Sequence, residues 1–252
     1  MIDPRTSVIS ERLSKIGRII AVSSGKGGVG KSMVATTLAL TLAEKGFKVG
    51  LFDLDFTSPS THVILGAPNV QPKEEKGIIP PIVHSLEYMS LIYYVGENPA
   101  PLRGVDVSNA LIELLSFTQW GKLDFLVIDM PPGIGDAILD VVRLIERIEF
   151  LIITTPSSLA FETVKKQVAL LCELKMHLIG VVENMKIDGA ATIQQKTEKL
   201  GLKYLGSIRF DNEVEQAIGN PSRLLNTAIG KTIKQITQEI ILKRESQWSA
   251  KQ

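Results

Sequence analysis

The chain of 252 residues carries 28 Lys and Arg against 27 Asp and Glu, a formal net charge of +1, which argues against a dedicated nucleic-acid coat or polybasic membrane surface. Its one cysteine, Cys172, excludes an internal disulfide framework and points to a cytoplasmic protein. No apolar run approaches the roughly 18 residues of a membrane span and the N-terminus lacks a signal-peptide core, so no stable membrane association is expected.

Residues 1–17 read as an N-terminal extension in which Val8, Ile9, Leu13 and Ile16 form an amphipathic helix. Packing of that helix on its own domain is favoured over display to a partner. Residues 18–23 form a short apolar strand. Gly25-Lys26-Gly27-Gly28-Val29-Gly30-Lys31-Ser32 follows, and Gly25, Gly30, Lys31 and Ser32 satisfy the phosphate-loop pattern G-x-x-x-x-G-K-[ST]. Glycines let backbone N–H groups turn inward around phosphates, and the helix over 33–45, stopped by Gly46, aims its positive end at the same anion. Lys31 supplies a point charge for the β- and γ-phosphates and the Ser32 hydroxyl can join a Mg²⁺ shell. Lys26 is one lysine more than the pattern needs. It is either an exposed loop residue or a group acting on the phosphates of a neighbouring molecule.

The second strand, 47–53, ends in Asp53-Leu54-Asp55. Carboxylates two apart on a strand face the same way, so one can support Mg²⁺ while the other orients the attacking water. The Pro- and Gly-rich stretch 66–81 reads as a loop, 85–94 holds a strand, and 106–117 is a helix with Val107, Ala110, Leu111, Leu114 and Leu115 on its apolar side. A buried strand over 123–130 delivers Asp129, as in the second half of an ATPase motif. Pro131-Pro132-Gly133 then turns the chain, and the Gly133 N–H is a candidate γ-phosphate donor that moves when the phosphate leaves. Further on come a helix over 136–148 capped by Asp136, a strand over 150–155 and a helix over 159–174 that buries Cys172 as a structural thiol. A strand over 178–182, a helix over 192–200, a strand over 204–208 and helices around 214–219 and 228–243 complete the chain. The alternation is unbroken, so 18–252 is one domain of α/β class: a doubly wound, mostly parallel sheet flanked by helices.

Several segments together resemble the Mrp branch of the Mrp/MinD family of P-loop NTPases (SIMIBI class), with its deviant Walker A loop. They are residues 22–32, Gly50-Leu51-Phe52-Asp53-Leu54-Asp55 with Ser58-Pro59-Ser60, Leu102-Arg103-Gly104, residues 120–136, Thr154-Thr155-Pro156 and Gly180-Val181-Val182-Glu183-Asn184-Met185. The resemblance implies a homodimeric switch that binds ATP/ADP and Mg²⁺ and hydrolyses ATP slowly without a partner. Gly25, Lys26, Gly27, Gly28, Val29, Gly30, Lys31, Ser32 and Met33 would cradle the phosphates, with Lys26 reaching the partner's nucleotide. Asp55 would position the water, Ser32, Asp53 and Asp129 would serve Mg²⁺, and Asp55, Pro132 and Gly133 would switch. Asn184 would read adenine under the loop Arg209-Phe210-Asp211.

The chain departs from that branch in lacking the C-x-x-C pair after Met185, in carrying Arg209 where Pro is usual, and in having Phe56-Thr57-Ser58 after Asp55. Without the cysteine pair the chain is most similar to archaeal Mrp-type HypB nickel-insertion ATPases. That likeness implies [NiFe]-hydrogenase maturation with a HypA-like nickel metallochaperone, and no tightly bound iron–sulfur cluster or protein-ligated nickel. His62, His84 and His177 are scattered, consistent with a partner that owns the metal. Two alternatives stand beside it: an iron–sulfur cluster carrier of Mrp type, and a MinD-like membrane-positioning ATPase inserting Ile229, Ile233, Ile236 and Ile240 into lipid.

Overall fold

The computed structural model describes residues 3–67, 70–95, 105–187 and 193–249; the Leu102-Arg103-Gly104 motif lies outside them. The main sheet joins β1 (Ile16–Ser23), β2 (Val49–Asp53), β5 (Ile82–Val83), β6 (Leu86–Ser90), β7 (Leu123–Asp129), β8 (Ile148–Thr154), β9 (His177–Lys186) and β10 (Tyr204–Arg209) in the order β10-β9-β8-β1-β7-β2-β6-β5. All neighbours are parallel except β5 and β6. The central strands are apolar on both faces because helices cover both, the signature of a parallel sheet. Register places Val22, Asp53 and Asp129 side by side at the carboxyl ends of β1, β2 and β7. That is the edge where open α/β sheets bind ligands.

One face packs beneath α1 (Arg5–Ser14), α5 (Val105–Phe117), α6 (Asp136–Leu144) and α7 (Ser158–Glu173), burying Phe52, Leu126, Ile128 and Phe150. The other packs beneath α2 (Lys31–Glu44), with the short α3 (Thr61–Leu65) beside it, and the long C-terminal helix formed by residues 228–249, burying Leu38, Leu51, Phe125 and Val127. Ile229, Ile233, Ile236 and Ile240 of that last helix are all buried in this second core. The stripe that a membrane-inserting reading needs is already packed against the helix's own domain.

Arg18 fastens the helix to the sheet. Its guanidinium donates to both oxygens of Glu149 at 2.6 and 2.8 Å and to the Ile240 carbonyl at 2.6 Å, while His177 Nδ1 lies 2.9 Å from Glu149.

The N-terminal segment is integral to the domain. Ile9 and Leu13 of α1 enter the first core, and β1 begins at Ile16, so the expected boundary at 17 cuts a strand. The expected helix 136–148 stops at Leu144, where Ile145 is extended and the charged Glu146-Arg147 pair turns the chain into β8. The loop 66–81 contains a small antiparallel hairpin, β3 (Lys73–Glu74) with β4 (Ile78–Ile79), and the short α4 (Ile92–Val95) follows β6. Cys172 is exposed, not buried. The buried stripe of α7 runs through Val164, Val168 and Leu171, and one further residue turns the side chain about 100° outward.

Candidate nucleotide site

The loop after β1 ends at Gly30, which takes φ 81° as the N-cap of α2 and offers no side-chain cap. The first-turn amides therefore point at open space ready for an anion. A Cβ on Gly30 would fall on the Asn184 amide nitrogen, and one on Gly25 would lie 2.5 Å from Thr163 Oγ1 of α7. Both glycines are required by close approach as much as by loop conformation. Asn184 donates to the Val29 carbonyl at 2.9 Å, which fixes the back of the loop to β9.

Lys31 is buried, and its Nζ lies 2.6 Å from Asp129 Oδ1, 3.8 Å from Asp55 Oδ2 and 3.4 Å from Ser32 Oγ. Burial pushes the Asp129 carboxyl up to about 7 even beside the Lys31 ammonium, with the Asp53 charge pushing the same way. Asp129 Oδ2 is buried without a hydrogen-bond partner. An orphaned carboxylate oxygen beside the Ser32 hydroxyl is a fitting donor set for a hard divalent cation, so the residues present suit Mg²⁺.

Asp55 Oδ1 accepts from Thr57 N at 3.1 Å, Thr57 Oγ1 at 2.7 Å and Ser58 N at 3.1 Å, leaving Oδ2 turned to Lys31. Asp53 differs. Its Oδ1 accepts from Asp55 N at 3.0 Å and its Oδ2 from Thr61 N at 3.2 Å and Thr61 Oγ1 at 2.6 Å. Burial raises its pKa, and the Thr61 and Asp55 hydrogen bonds oppose the rise. Gly133, at φ 90°, donates to the Ser24 carbonyl at 3.0 Å, so the turn after β7 touches the phosphate loop directly. Asp136 is the first residue of α6 with Gly135 as the cap.

Two cavities meet at Gly30 and Met33. One of about 450 Å³ is lined by Ser24, Lys26, Gly27, Gly28, Lys31, Ser32, Asp55, Ser58, Ser60 and Pro132. The other, about 220 Å³, is lined by Asn184, Met185, Arg209, Phe210, Asp211 and Glu215 among others. Of the residues expected at the phosphates, all but Gly25 and Val29 line the larger chamber, and Asn184, Arg209, Phe210 and Asp211 line the smaller one beside it. Asp211 already works in the fold: the Ala228 and Glu213 backbone N–H groups donate to its carboxylate and hold its pKa down. Phe210 is largely exposed, with its N–H bonded to the Lys186 carbonyl at 2.9 Å.

Two residues outside every sequence motif join this site: Thr61, which donates to Asp53, and Tyr88, whose hydroxyl lies 2.8 Å from that of Thr61. A threonine opening the apolar run Thr61-His62-Val63-Ile64-Leu65 carries a helix-start signal that would have marked the first of them.

Residues 15–243 match the ParA family model described as the NUBPL iron-transfer P-loop NTPase. The chain belongs to that family. An iron–sulfur cluster carrier protein of Methanocaldococcus jannaschii is 36% identical over 94% of this chain and 88% of its own length. One of Aquifex aeolicus is 37% identical over 82% of this chain, and the match spans 61% of that longer protein. Among solved structures, an Archaeoglobus fulgidus nucleotide-binding protein in complex with ADP is 28% identical with a TM-score of 0.73, over 91% of this chain and 92% of that one. The cell-division ATPase MinD of Pyrococcus furiosus, 22% identical with a TM-score of 0.67 over 89% of this chain and 98% of its own, shares the fold.

These relatives overturn the nickel reading. None of the likeness is specific to HypB, the names point to iron–sulfur clusters and not to hydrogenase maturation, and a HypA-like partner loses its support. The expectation that no iron–sulfur cluster is tightly bound loses the support it drew from the nickel reading. The missing C-x-x-C pair is a local departure within a family match that runs over residues 15–243. Among the described residues no helix is long and apolar enough to cross a membrane, and no group of three or more His, Cys, Asp and Glu side chains is placed to hold a metal.

Proposed function

We propose that this chain is an ATP-hydrolysing, nucleotide-dependent homodimer that carries or assembles an iron–sulfur cluster as cargo. The observation that carries the nucleotide half is the buried Lys31 ammonium held between Asp129 and Asp55 at the mouth of a glycine loop. The cargo half rests on the family and on the names of its relatives.

Ser32 and Asp129 are the residues that would hold Mg²⁺, which supplies charge neutralisation on the phosphates. Lys31 leaves its carboxylate partners to bind the β- and γ-phosphates, while the N–H groups of loop residues 27–32 donate to the remaining phosphate oxygens. Asp55, locked through Oδ1, keeps Oδ2 for the attacking water. Loss of the γ-phosphate is felt by Gly133, which already touches the loop, and Lys26 completes the partner subunit's site. The 252 residues offer one thiolate, Cys172, whereas clusters are commonly held by four. The remaining cargo ligands therefore come from the second copy, from an acceptor or donor protein, or from free thiols.

The test is anaerobic reconstitution with iron and sulfide, followed by transfer to an apo-ferredoxin with and without ATP, beside measured ATP turnover. Nucleotide-sensitive transfer and turnover, both lost in Lys31→Ala, are the expected results. A colourless protein that neither takes up nor delivers a cluster refutes the cargo reading.

A further inference from the structure

Asp53 sits level with Asp129 at the end of the neighbouring strand, yet the two carboxylates are used differently. Asp129 keeps an unbonded buried oxygen. Asp53 has none: the Asp55 amide, the Thr61 amide and the Thr61 hydroxyl occupy both its oxygens. To ligate a metal it would have to turn away from the Asp55 and Thr61 donors or share its oxygens with them, in a fully buried place.

What those bonds hold is equally specific. The Asp55 amide sets the backbone from which the Asp55 carboxylate projects toward Lys31. Thr61 is the first residue of α3, and the segment between them supplies Ser58 and Ser60 to the phosphate cavity, with Val63 and Ile64 of α3 beside them. Thr61 is in turn held by the hydroxyl of Tyr88, a fully buried residue of β6. The network therefore spans β2, α3 and β6 and fixes both ends of the 55–61 segment.

We propose that Asp53 is a positioning residue and not a metal ligand: with Thr61 and Tyr88 it pins the 55–65 segment so that Asp55 and the serine wall face the phosphates. The proposal rests on the reading of the site as an ATPase.

Two measurements on the full chain test it. The first needs no nucleotide: hydrogen exchange of a peptide covering residues 61–65 in Asp53→Asn, Thr61→Val, Thr61→Ser and Asp129→Asn. Loss of the pin accelerates exchange there by about tenfold or more in Asp53→Asn and Thr61→Val. Thr61→Ser keeps the hydroxyl and retains wild-type protection, and Asp129→Asn leaves the segment alone. The second is ATP turnover against Mg²⁺ concentration. Asp53→Asn and Thr61→Val lower kcat by about tenfold or more while KM for ATP and the half-saturating Mg²⁺ stay put, and Thr61→Ser restores kcat. A rise in half-saturating Mg²⁺ for Asp53→Asn that Thr61→Val does not share makes Asp53 a ligand and overturns the proposal, as does unchanged exchange at 61–65. A wild-type chain with no turnover refutes the ATPase reading, while the exchange experiment still decides the pin.

Discussion

Replacing Asp129 by Asn should change how the nucleotide-free protein responds to pH. In the folded chain burial lifts this carboxyl from its ordinary 3.8 to about 7. The folded state thus keeps a proton that the unfolded chain releases, and stability contributed by that proton is lost as pH rises through the folded value. Between about pH 5 and about pH 8 the loss from this one group integrates to about 2–3 kcal/mol, because the unfolded carboxyl is ionised throughout the interval. In a domain of this size that corresponds to a fall in Tm of about 5–10 °C. Asn cannot titrate, so Asp129→Asn removes this component and leaves every other titrating group in place. The assay is thermal or urea unfolding of both proteins at a series of pH values without Mg²⁺ or nucleotide. The wild-type curve should descend more steeply toward alkaline pH, and the two should diverge in the window around neutrality. Parallel profiles would show that Asp129 is ionised throughout, and the account of a buried, under-compensated carboxylate would be wrong.

Gly30→Ala places a side chain at φ 81° and on the Asn184 amide; a strain of about 1–2 kcal/mol should lower nucleotide affinity about tenfold, read by fluorescent-nucleotide titration. Arg18→Met removes the bonds to Glu149 and the Ile240 carbonyl and should cost about 3 kcal/mol in urea unfolding, with nucleotide affinity unchanged. Lys26→Ala should bind ATP normally and fail to dimerise with it; light scattering of an ATP-dependent dimer in this variant would remove the trans role. Lys31→Ala should abolish nucleotide binding altogether.

The strand-loop-helix around Gly25–Ser32 was readable because a phosphate loop is local: contiguous residues, fixed spacing, and a fold that follows from a few backbone angles. Asp53, Asp55 and Asp129 were readable as strand-end carboxylates for the same reason. Their different bonding was not. It depends on Thr61 and Tyr88, brought in from elsewhere in the chain by α3 and β6, and pairwise periodicity carries no trace of such a meeting. The exposure of Cys172 was misjudged by one residue of helix rotation, an error that periodicity commits wherever an apolar stripe is wide. The client was misread for another reason. An absent pair of cysteines is a single local difference, whereas the family match runs over residues 15–243.

The sharing of Gly30 and Met33 by both cavities bears on what the molecule can tell apart. Inorganic tripolyphosphate offers the loop the same run of negative charge as ATP but places nothing against Asn184, whose amide is tied to the loop at Val29. A base lodged in the smaller cavity would lie against a side chain that is itself bonded to the floor of the phosphate cradle. A ligand that fills both cavities would therefore press on the loop from two sides, and one that fills only the larger cavity would press from one.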